Sequence, residues 1–357
     1  MDNQQDLLQQ QITGIKERVI AAPLPQGLQD KCLGMIERLE RMLQYGTYSV
    51  EFENTSRYIE LVLALPWNKF SEDTFDIQKA KEVLDAHQYG LDPVKEKILE
   101  YLSILQLHDA KAKQTGERDP NFRAPVMMLV GLAGTGKTSF AYSVADALGR
   151  KVARIPFGGM GDPLTLRGQS RAFSDAEPGA VIKAILQANT MNPVILLDEI
   201  DRVADESRAS IMGVLLELLD PAQNNAYRDH YIDYPIDLSR SLFIATGNNT
   251  TNISTAVLDR MEVIQMPSYT DEEKLMIASR YVFPRALAQA GLPQGAVVIE
   301  DEVWPLLIRP LGFDSGIRTL ERTIVGLCRK VAKLVVTQNV GQIIVNKDNV
   351  KEFLPEW

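Results

Sequence analysis

Cysteine is nearly missing from this chain: Cys32 and Cys328 are the only two among 357 residues, and they lie far apart in helix-patterned stretches. Such a pair offers neither a disulfide framework nor a thiolate metal site. Histidine is almost as scarce. His87, His108 and His230 share no ligand spacing, so no zinc site is expected. No apolar run approaches the roughly 20 residues of a membrane-spanning helix. The opening MDNQQDLLQQQ lacks the apolar centre of a secretion signal. Positive charge is not in excess either: 38 Lys and Arg stand against 47 Asp and Glu, a net charge of -9. A dedicated nucleic-acid binder is therefore not expected, nor a membrane partner, and a cytoplasmic setting is.

What is present is an ordinary globular composition, 45% hydrophobic and 24% charged, long enough for two or three cores. Leu7, Leu8, Ile12, Ile15, Val19 and Ile20 recur at helical spacing. AAPLPQG interrupts them, and helices over about 27–45 and 54–65 follow. A helix, a break at HQYGLDP and another helix come next, with Asp92 placed to cap the second and Pro93 at its first position. From residue 126 short apolar runs alternate with helical stretches: VMMLVG, KVARIPFGG, PVILLDEID, SLFIATGNN and MEVIQMP. Strands apolar throughout and separated by helices predict a parallel sheet covered on both faces. Beyond Pro267 the pattern turns mainly helical, with one short strand at QIIVN. This predicts an α/β fold in three parts: a helical segment over 1–70, a large α/β domain over 71–266 and a small helical domain over 267–357.

The stretch GLAGTGKT, residues 131–138, fits G-x-x-x-x-G-K-[ST] with Gly131, Gly136, Lys137 and Thr138. Glycines permit a backbone whose N–H groups converge on phosphate oxygens, and the following helix adds its N-terminus. In that pattern the lysine reaches the β- and γ-phosphates of ATP and the threonine hydroxyl binds Mg²⁺. The run VILLDEID ends in Asp198 and Glu199, at the strand edge where ligands sit in parallel sheets. Asp198 suits Mg²⁺ bound through water, and Glu199 suits the orientation of an attacking water. Asn248, ending SLFIATGNN, either bonds that water or the γ-phosphate, or caps a turn. Arg260 and Arg318 suit either the charge that develops on a γ-phosphate or an ordinary surface ion pair.

At this point the chain resembles the AAA+ module of the Lon protease family over nearly its whole length. The resemblance rests on LALPWNKFSEDTFDIQKAKEVLDAHQYGLDPVKEKILEYL, GLAGTGKTS, FGGMGDPLTLRGQSRAF, ILLDEID, LLELLDPAQN, DHYIDYPIDLS, ATGN, LDRMEVI, YTDEEKL and GIRTLER. It implies an AAA+ P-loop NTPase with a five-stranded parallel core sheet. It also implies nucleotide binding by Gly131, Gly134, Thr135, Gly136, Lys137, Thr138, Ser139 and Asp198, with Tyr89 and Gly90 covering the adenine. Mg²⁺ falls to Thr138 and Asp198. Glu199 becomes the catalytic carboxylate of the second motif and Asn248 the first sensor. Arg260 becomes a finger to the neighbouring subunit and Arg318 the second sensor. Phe173 falls where the family places an aromatic pore residue that grips a translocating polypeptide; a Phe packed into a local hairpin is the plainer alternative. Partners implied are further copies in a ring, a hexamer in the family, together with unfolded or misfolded protein substrates and a protease domain in cis or in trans. ASIMG at 209–213 departs from the family's Gly-Asp-Pro-Ala-Ser, and GNNTTNIS carries one extra residue. The family's Ser–Lys proteolytic domain would follow Trp357, so ATP-driven unfolding and threading is expected of these residues without peptidase activity. The competing readings are a non-proteolytic remodeller and a nucleotide-gated scaffold with weak turnover.

Overall fold

The computed structural model describes residues 2–44, 50–74, 76–116, 126–173, 175–309, 316–338 and 341–354. Three helices open the chain, α1 (Asp2–Ala21), α2 (Gln26–Gln44) and α3 (Val50–Ala64). Residue 45, the expected end of the second, lies outside the described residues. Then come α4 (Ile77–His87) and α5 (Asp92–Thr115). Asp92 does not cap α5. It is the first helical residue, and Leu91 occupies the cap in the left-handed region at φ 59°. The tight HQYGLD turn forces this, because Gly90 just before is also left-handed at φ 64°.

The α/β part runs β1 (Val126–Val130), α6 (Lys137–Leu148), β2 (Val152–Pro156), α7 (Leu164–Arg167), α8 (Ala180–Ala188), β3 (Val194–Asp198) and α9 (Arg208–Leu219). A two-residue hairpin, β4 (Tyr227–Arg228) with β5 (Pro235–Ile236), precedes β6 (Leu242–Gly247), α10 (Thr255–Leu258) and β7 (Met261–Gln265). The five long strands form the expected parallel sheet in the order β2-β3-β6-β1-β7. The chain leaves β1 for β2 on one side and reaches β7 from β6 on the other. Connections thus diverge around β1 and β6, and a crevice opens at their C-terminal ends.

Alternation along the strands divides the apolar core in two. Val126, Met128 and Val130 of β1, with Ile195 and Leu197 of β3, face one cluster; Met127, Leu129, Val194 and Leu196 face the other. The first cluster is closed by α8, α9 and, beyond them, α1–α3 through Val19, Leu28, Ile36 and Ile59. The second takes in α4, α5, α6 and the C-terminal elements. Those elements are α11 (Asp271–Ile277), α12 (Phe283–Gln289), β8 (Val297–Ile299), α13 (Trp304–Ile308), α14 (Arg318–Gln338), β9 (Ile343–Val345) and α15 (Val350–Phe353). A capping box at Thr270 and Glu273 starts α11, and a single π turn at Ala278–Val282 joins it to α12. The expected strand at QIIVN is β9. Its parallel partner β8, equally short, was not read from the sequence.

The segment entering the α/β part is stitched to the sheet. The Ser71 N–H donates to the Asn192 side chain at 2.7 Å, and that side chain donates back to the Ser71 carbonyl at 3.0 Å. Arg150 holds Asp73 through two hydrogen bonds of 2.7 and 2.8 Å, with both side chains largely buried. Removing one partner of such a pair strands the other charge. Asp73→Ala is therefore expected to cost about 3 kcal/mol, seen as a lowered melting temperature in calorimetry.

Candidate functional site

The β1 strand ends directly in the glycine-rich loop, and α6 begins at Lys137. Gly134 and Gly136 take φ of 84° and 87°, a region in which side chains are strained. Gly131 is needed for a different reason. A Cβ there would stand 2.6 Å from the Met266 carbonyl oxygen, where the loop passes β7. The loop thus keeps its backbone exposed at the mouth of the crevice, with the N-terminus of α6 behind it. Thr138 and Ser139 lie in the first turn of α6.

The Lys137 ammonium curls back onto this loop. It donates to the carbonyls of Gly131 (2.7 Å) and Leu132 (2.9 Å) and to Asn248 Oδ1 (3.1 Å). Burial pulls its pKa below the ordinary lysine range. Asp201 opposes that shift, Arg318 reinforces it, and Glu199 and Asp198 oppose it more weakly. The lysine and Asn248, predicted 111 residues apart, are therefore in contact across β1 and β6.

Asp198 ends β3 and is almost wholly buried. Its Oδ1 accepts from the Thr246 hydroxyl at 2.5 Å and the Thr138 hydroxyl at 3.2 Å. Its Oδ2 accepts from Arg154 Nε at 2.7 Å. The hydroxyl of Thr138 and the carboxylate of Asp198 are hard oxygen donors. They stand 3.2 Å apart at the foot of the phosphate loop, as oxygen donors that would hold Mg²⁺, Asp198 through water. These residues fit the metal.

Glu199, the next residue, has left-handed backbone at φ 59°, uncommon for a side-chain-bearing residue and costing on the order of 1 kcal/mol. Its N–H donates to Thr246 Oγ1 at 3.0 Å, and its carboxylate lies 3.3 Å from Arg202. Thr246 therefore donates to one acid and accepts from the other. Asp201 supports the neighbouring strand end, because its Oδ2 accepts the Asn248 N–H at 3.0 Å. Its other oxygen is buried without a hydrogen bond, 3.3 Å from where a Cβ on Gly247 would stand.

The small helical part reaches the same loop. Ile317 N–H donates to the Gly134 carbonyl at 3.1 Å, and a Cβ on Gly316 would stand 2.4 Å from the Ala133 carbonyl oxygen. This close approach puts exposed Arg318, the first residue of α14, near enough to bias Lys137. Tyr269 donates from its hydroxyl to the Thr135 carbonyl at 3.2 Å, and burial raises its pKa to about 12. The HQYGLD turn closes the other side. Gln88 donates to the Ser143 hydroxyl of α6 at 3.2 Å, half-buried Tyr89 packs on the second core, and Gly90 sits against Glu273 of α11.

Two expected residues lie away from this constellation. Arg260 precedes Met261, which pairs with Val126 at the start of β1, whereas the phosphate loop follows its end. A five-residue strand, roughly 16 Å at about 3.3 Å per residue, separates Arg260 from its own crevice. Within the chain it bonds Asp220 at 3.2 Å and the Ala256 carbonyl at 2.9 Å. Phe173 lies in the loop between α7 and α8 with 67% of its surface exposed, not tucked into a hairpin.

Arg154, Thr246, Asp201, Gln88 and Tyr269 were not singled out in the sequence. Thr246 was visible as the polar residue inside the otherwise apolar SLFIATG. Thr246→Val is expected to leave the Glu199 N–H unpaired and Asp198 short of a donor, losing about 1–3 kcal/mol of stability. Mg²⁺-dependent nucleotide binding should weaken with it, while Thr246→Ser restores both. Denaturant unfolding and titration with a fluorescent nucleotide measure the two effects.

Comparison with known proteins agrees with this geometry. The model of the ATPase family associated with various cellular activities (AAA) matches residues 127–269, and that of the Lon protease AAA+ ATPase lid domain matches residues 288–343. The Lon protease of Desulforamulus reducens is 42% identical over 333 residues, which are 93% of this chain and 39% of that protein. Lon protease 2 of Herpetosiphon aurantiacus is 40% identical over 332 residues, with the same coverage of 93% and 39%. Lon protease 2 of Thermus thermophilus is 38% identical over 348 residues, 97% of this chain and 43% of that protein. The chain spans about two fifths of the length of these curated relatives. With a P-loop sheet and a lid that touches the loop backbone to backbone, the chain carries an AAA ATPase core and a Lon-type lid, and is similar over nearly its whole length to that part of these Lon proteases.

Proposed function

We propose that this chain hydrolyses ATP with Mg²⁺ and uses the energy to unfold and thread polypeptides through a ring of its own copies in the cytoplasm, for a protease domain to degrade. The observation that carries the reading is the convergence of Lys137, Thr138, Asp198, Glu199 and Asn248 from β1, α6, β3 and β6 on one crevice. No helix among the described residues is long and apolar enough to cross a membrane.

In this reading the N–H groups of residues 131–138 bind the phosphates, and Lys137 exchanges its carbonyl partners for β- and γ-phosphate oxygens. Asn248, already within reach of Lys137, orients the γ-phosphate or the water. Glu199 holds the attacking water and takes its proton. Mg²⁺, held by Thr138 and Asp198, would screen the charge of the departing phosphate. Arg318, carried by the lid, reads the γ-phosphate within the same chain. Tyr89 and Gly90 border the base. Arg260, a strand's length from its own crevice, completes the site of a neighbouring copy. The exposed Phe173 supplies a sequence-tolerant apolar contact for polypeptide, as an aromatic ring does.

Two experiments test this. Glu199→Gln is expected to keep nucleotide affinity within about twofold while turnover falls by two or more powers of ten, since only proton acceptance is lost. Parent-rate hydrolysis by that variant would remove Glu199 from the role. Arg260→Ala and Glu199→Gln are each expected to be inactive alone. Mixed, they should regain part of the turnover, because an intact Glu199 site then faces an intact Arg260; a finger of this kind contributes about three to five powers of ten. Absence of rescue, with turnover independent of protein concentration, would place Arg260 outside catalysis.

A further inference from the structure

The loop that carries Phe173 is an arm standing on a narrow base. Gly168 and Gly179 bound it, and Gln169 N–H donates to the Glu177 carbonyl at 3.0 Å across it. Asp229, fully buried, accepts the N–H groups of Gly179 (2.7 Å), Tyr231 (2.8 Å) and Ile232 (3.0 Å). The base of the arm and the 229–233 turn are therefore one unit. Neither glycine tolerates a side chain: a Cβ on Gly168 would stand 2.8 Å from the Asp229 carboxylate, and one on Gly179 would stand 2.0 Å from the Leu166 carbonyl oxygen.

The N-terminal helices, which bear none of the ATPase motifs, grip this unit from the far side. Tyr58 of α3 donates its hydroxyl to the Ile232 carbonyl at 2.9 Å, and Lys31 of α2 bonds the Asp233 carbonyl and carboxylate at 2.8 and 2.9 Å. They also grip the arm itself. The Arg171 guanidinium lies 3.9 Å from the centre of the Tyr58 ring and reaches the Met35 sulfur at 3.7 Å. Arg171 is two residues from Phe173. Both line an open cavity of about 310 Å³, together with Met35, Arg57 and Tyr231. Arg171 forms part of the wall of this cavity, and its stack on Tyr58 ties the arm to α3.

We propose that Tyr58 and Arg171 are positioning residues for polypeptide engagement: the N-terminal helices set the reach of Phe173 through this stacked pair. The proposal rests on Phe173 being the polypeptide contact. It gives the helical segment a task, to fix the arm against the pull of a threaded chain.

The test uses the whole chain with labelled, unfolded casein as probe, reading casein affinity, casein-stimulated over basal ATP turnover, and amide hydrogen exchange of residues 169–178. Arg171→Gln and Tyr58→Leu are each expected to weaken casein binding by about fivefold or more, the loss of one cation–π contact. Exchange in the arm should speed up. Tyr58→Phe, which keeps the ring, should bind casein like the parent. The double variant should be no worse than either single one, a coupling that general loss of stability does not produce. Should Tyr58→Leu fail to fold, Arg171→Gln with Tyr58→Phe decides alone. If Phe173→Ala abolishes casein binding while Arg171→Gln leaves affinity and arm exchange unchanged, the stacked pair positions nothing and the inference falls. If Phe173→Ala itself has no effect, the pore reading of Phe173 falls first, and this inference with it.

Discussion

A carboxylate buried at the end of a parallel strand is the constraint around which the site is organised. Asp198 is 3% exposed, and an unpaired charge so placed costs several kcal/mol. Its partners come from three further elements: Arg154 on β2, Thr138 on α6 and Thr246 on β6. Each of them can reach it only because β3 lies between β2 and β6, with α6 starting at the same edge. Pairing the charge therefore fixes relative positions across half the sheet. Thr246 carries the constraint one residue further, since the oxygen of its hydroxyl receives the Glu199 N–H while its proton goes to Asp198. The strained backbone at Glu199 is held by that bond and by the register of β3 against β6. The backbone of the water-orienting acid of the proposed mechanism is thus set by packing, and its side chain lies against Arg202.

A second constraint runs across the crevice. The phosphate loop is touched by three segments outside the sheet: Tyr269 on Thr135, Gln88 on the adjoining helix, and Gly316–Ile317 on Ala133–Gly134. The last contact is backbone against backbone. Two glycines make it possible, and no flexible side chain stands between them to absorb a displacement. A shift of α14 is consequently felt at Gly134 without attenuation, as expected where close-packed surfaces transmit strain. Arg318 begins α14 immediately after this contact, so the guanidinium and the loop move as neighbours. Coupling between lid and phosphate site follows from the geometry of one dipeptide on another.

The sequence was most legible where function is written into consecutive residues. GLAGTGKT specifies left-handed glycines and a helix start within eight positions, and VILLDEID specifies a buried strand that ends in acids. The five strands of the sheet were readable for the same reason, each a short apolar run between helical periods. Partners across the sheet were not. Arg154 belongs to no motif, and only the pairing of Pro156 with Asp198 on the neighbouring strand brings it to the acid. Asp201 was not singled out either. Its bond to the Asn248 N–H needs β3 and β6 to be neighbours, which apolar runs do not encode. The helical periods of α1–α3 showed which of their faces would be buried, but not that the face would lie against the turn at 229–233. The cap of α5 was misjudged because Asp92 before proline has the local signature of a cap, and the left-handed turn at Gly90–Leu91 overrides it.

Strand length connects the single chain to the assembly proposed for it. The crevice lies at the C-terminal edge of the sheet, and Arg260 lies at the opposite edge because it opens the strand that runs parallel to β1. No rotamer of an arginine spans a strand of five residues, so the residue cannot serve the crevice that its own chain builds. It rests instead on Asp220 at the end of α9, an exposed pairing of small energetic value that a nearby phosphate could displace. Phe173, by contrast, projects from the α7–α8 loop and is held from the side of the N-terminal helices. The two residues assigned to other molecules, one to a neighbouring copy and one to a polypeptide, are thus the two that the fold keeps away from its own nucleotide crevice. Under the proposed function, each copy fixes its own catalytic acids and takes its charge-stabilising cation from across a boundary. In the proposed ring, turnover depends on how copies face each other, and a polypeptide on Phe173 pulls on the same wall of helices and turns that frames the first core.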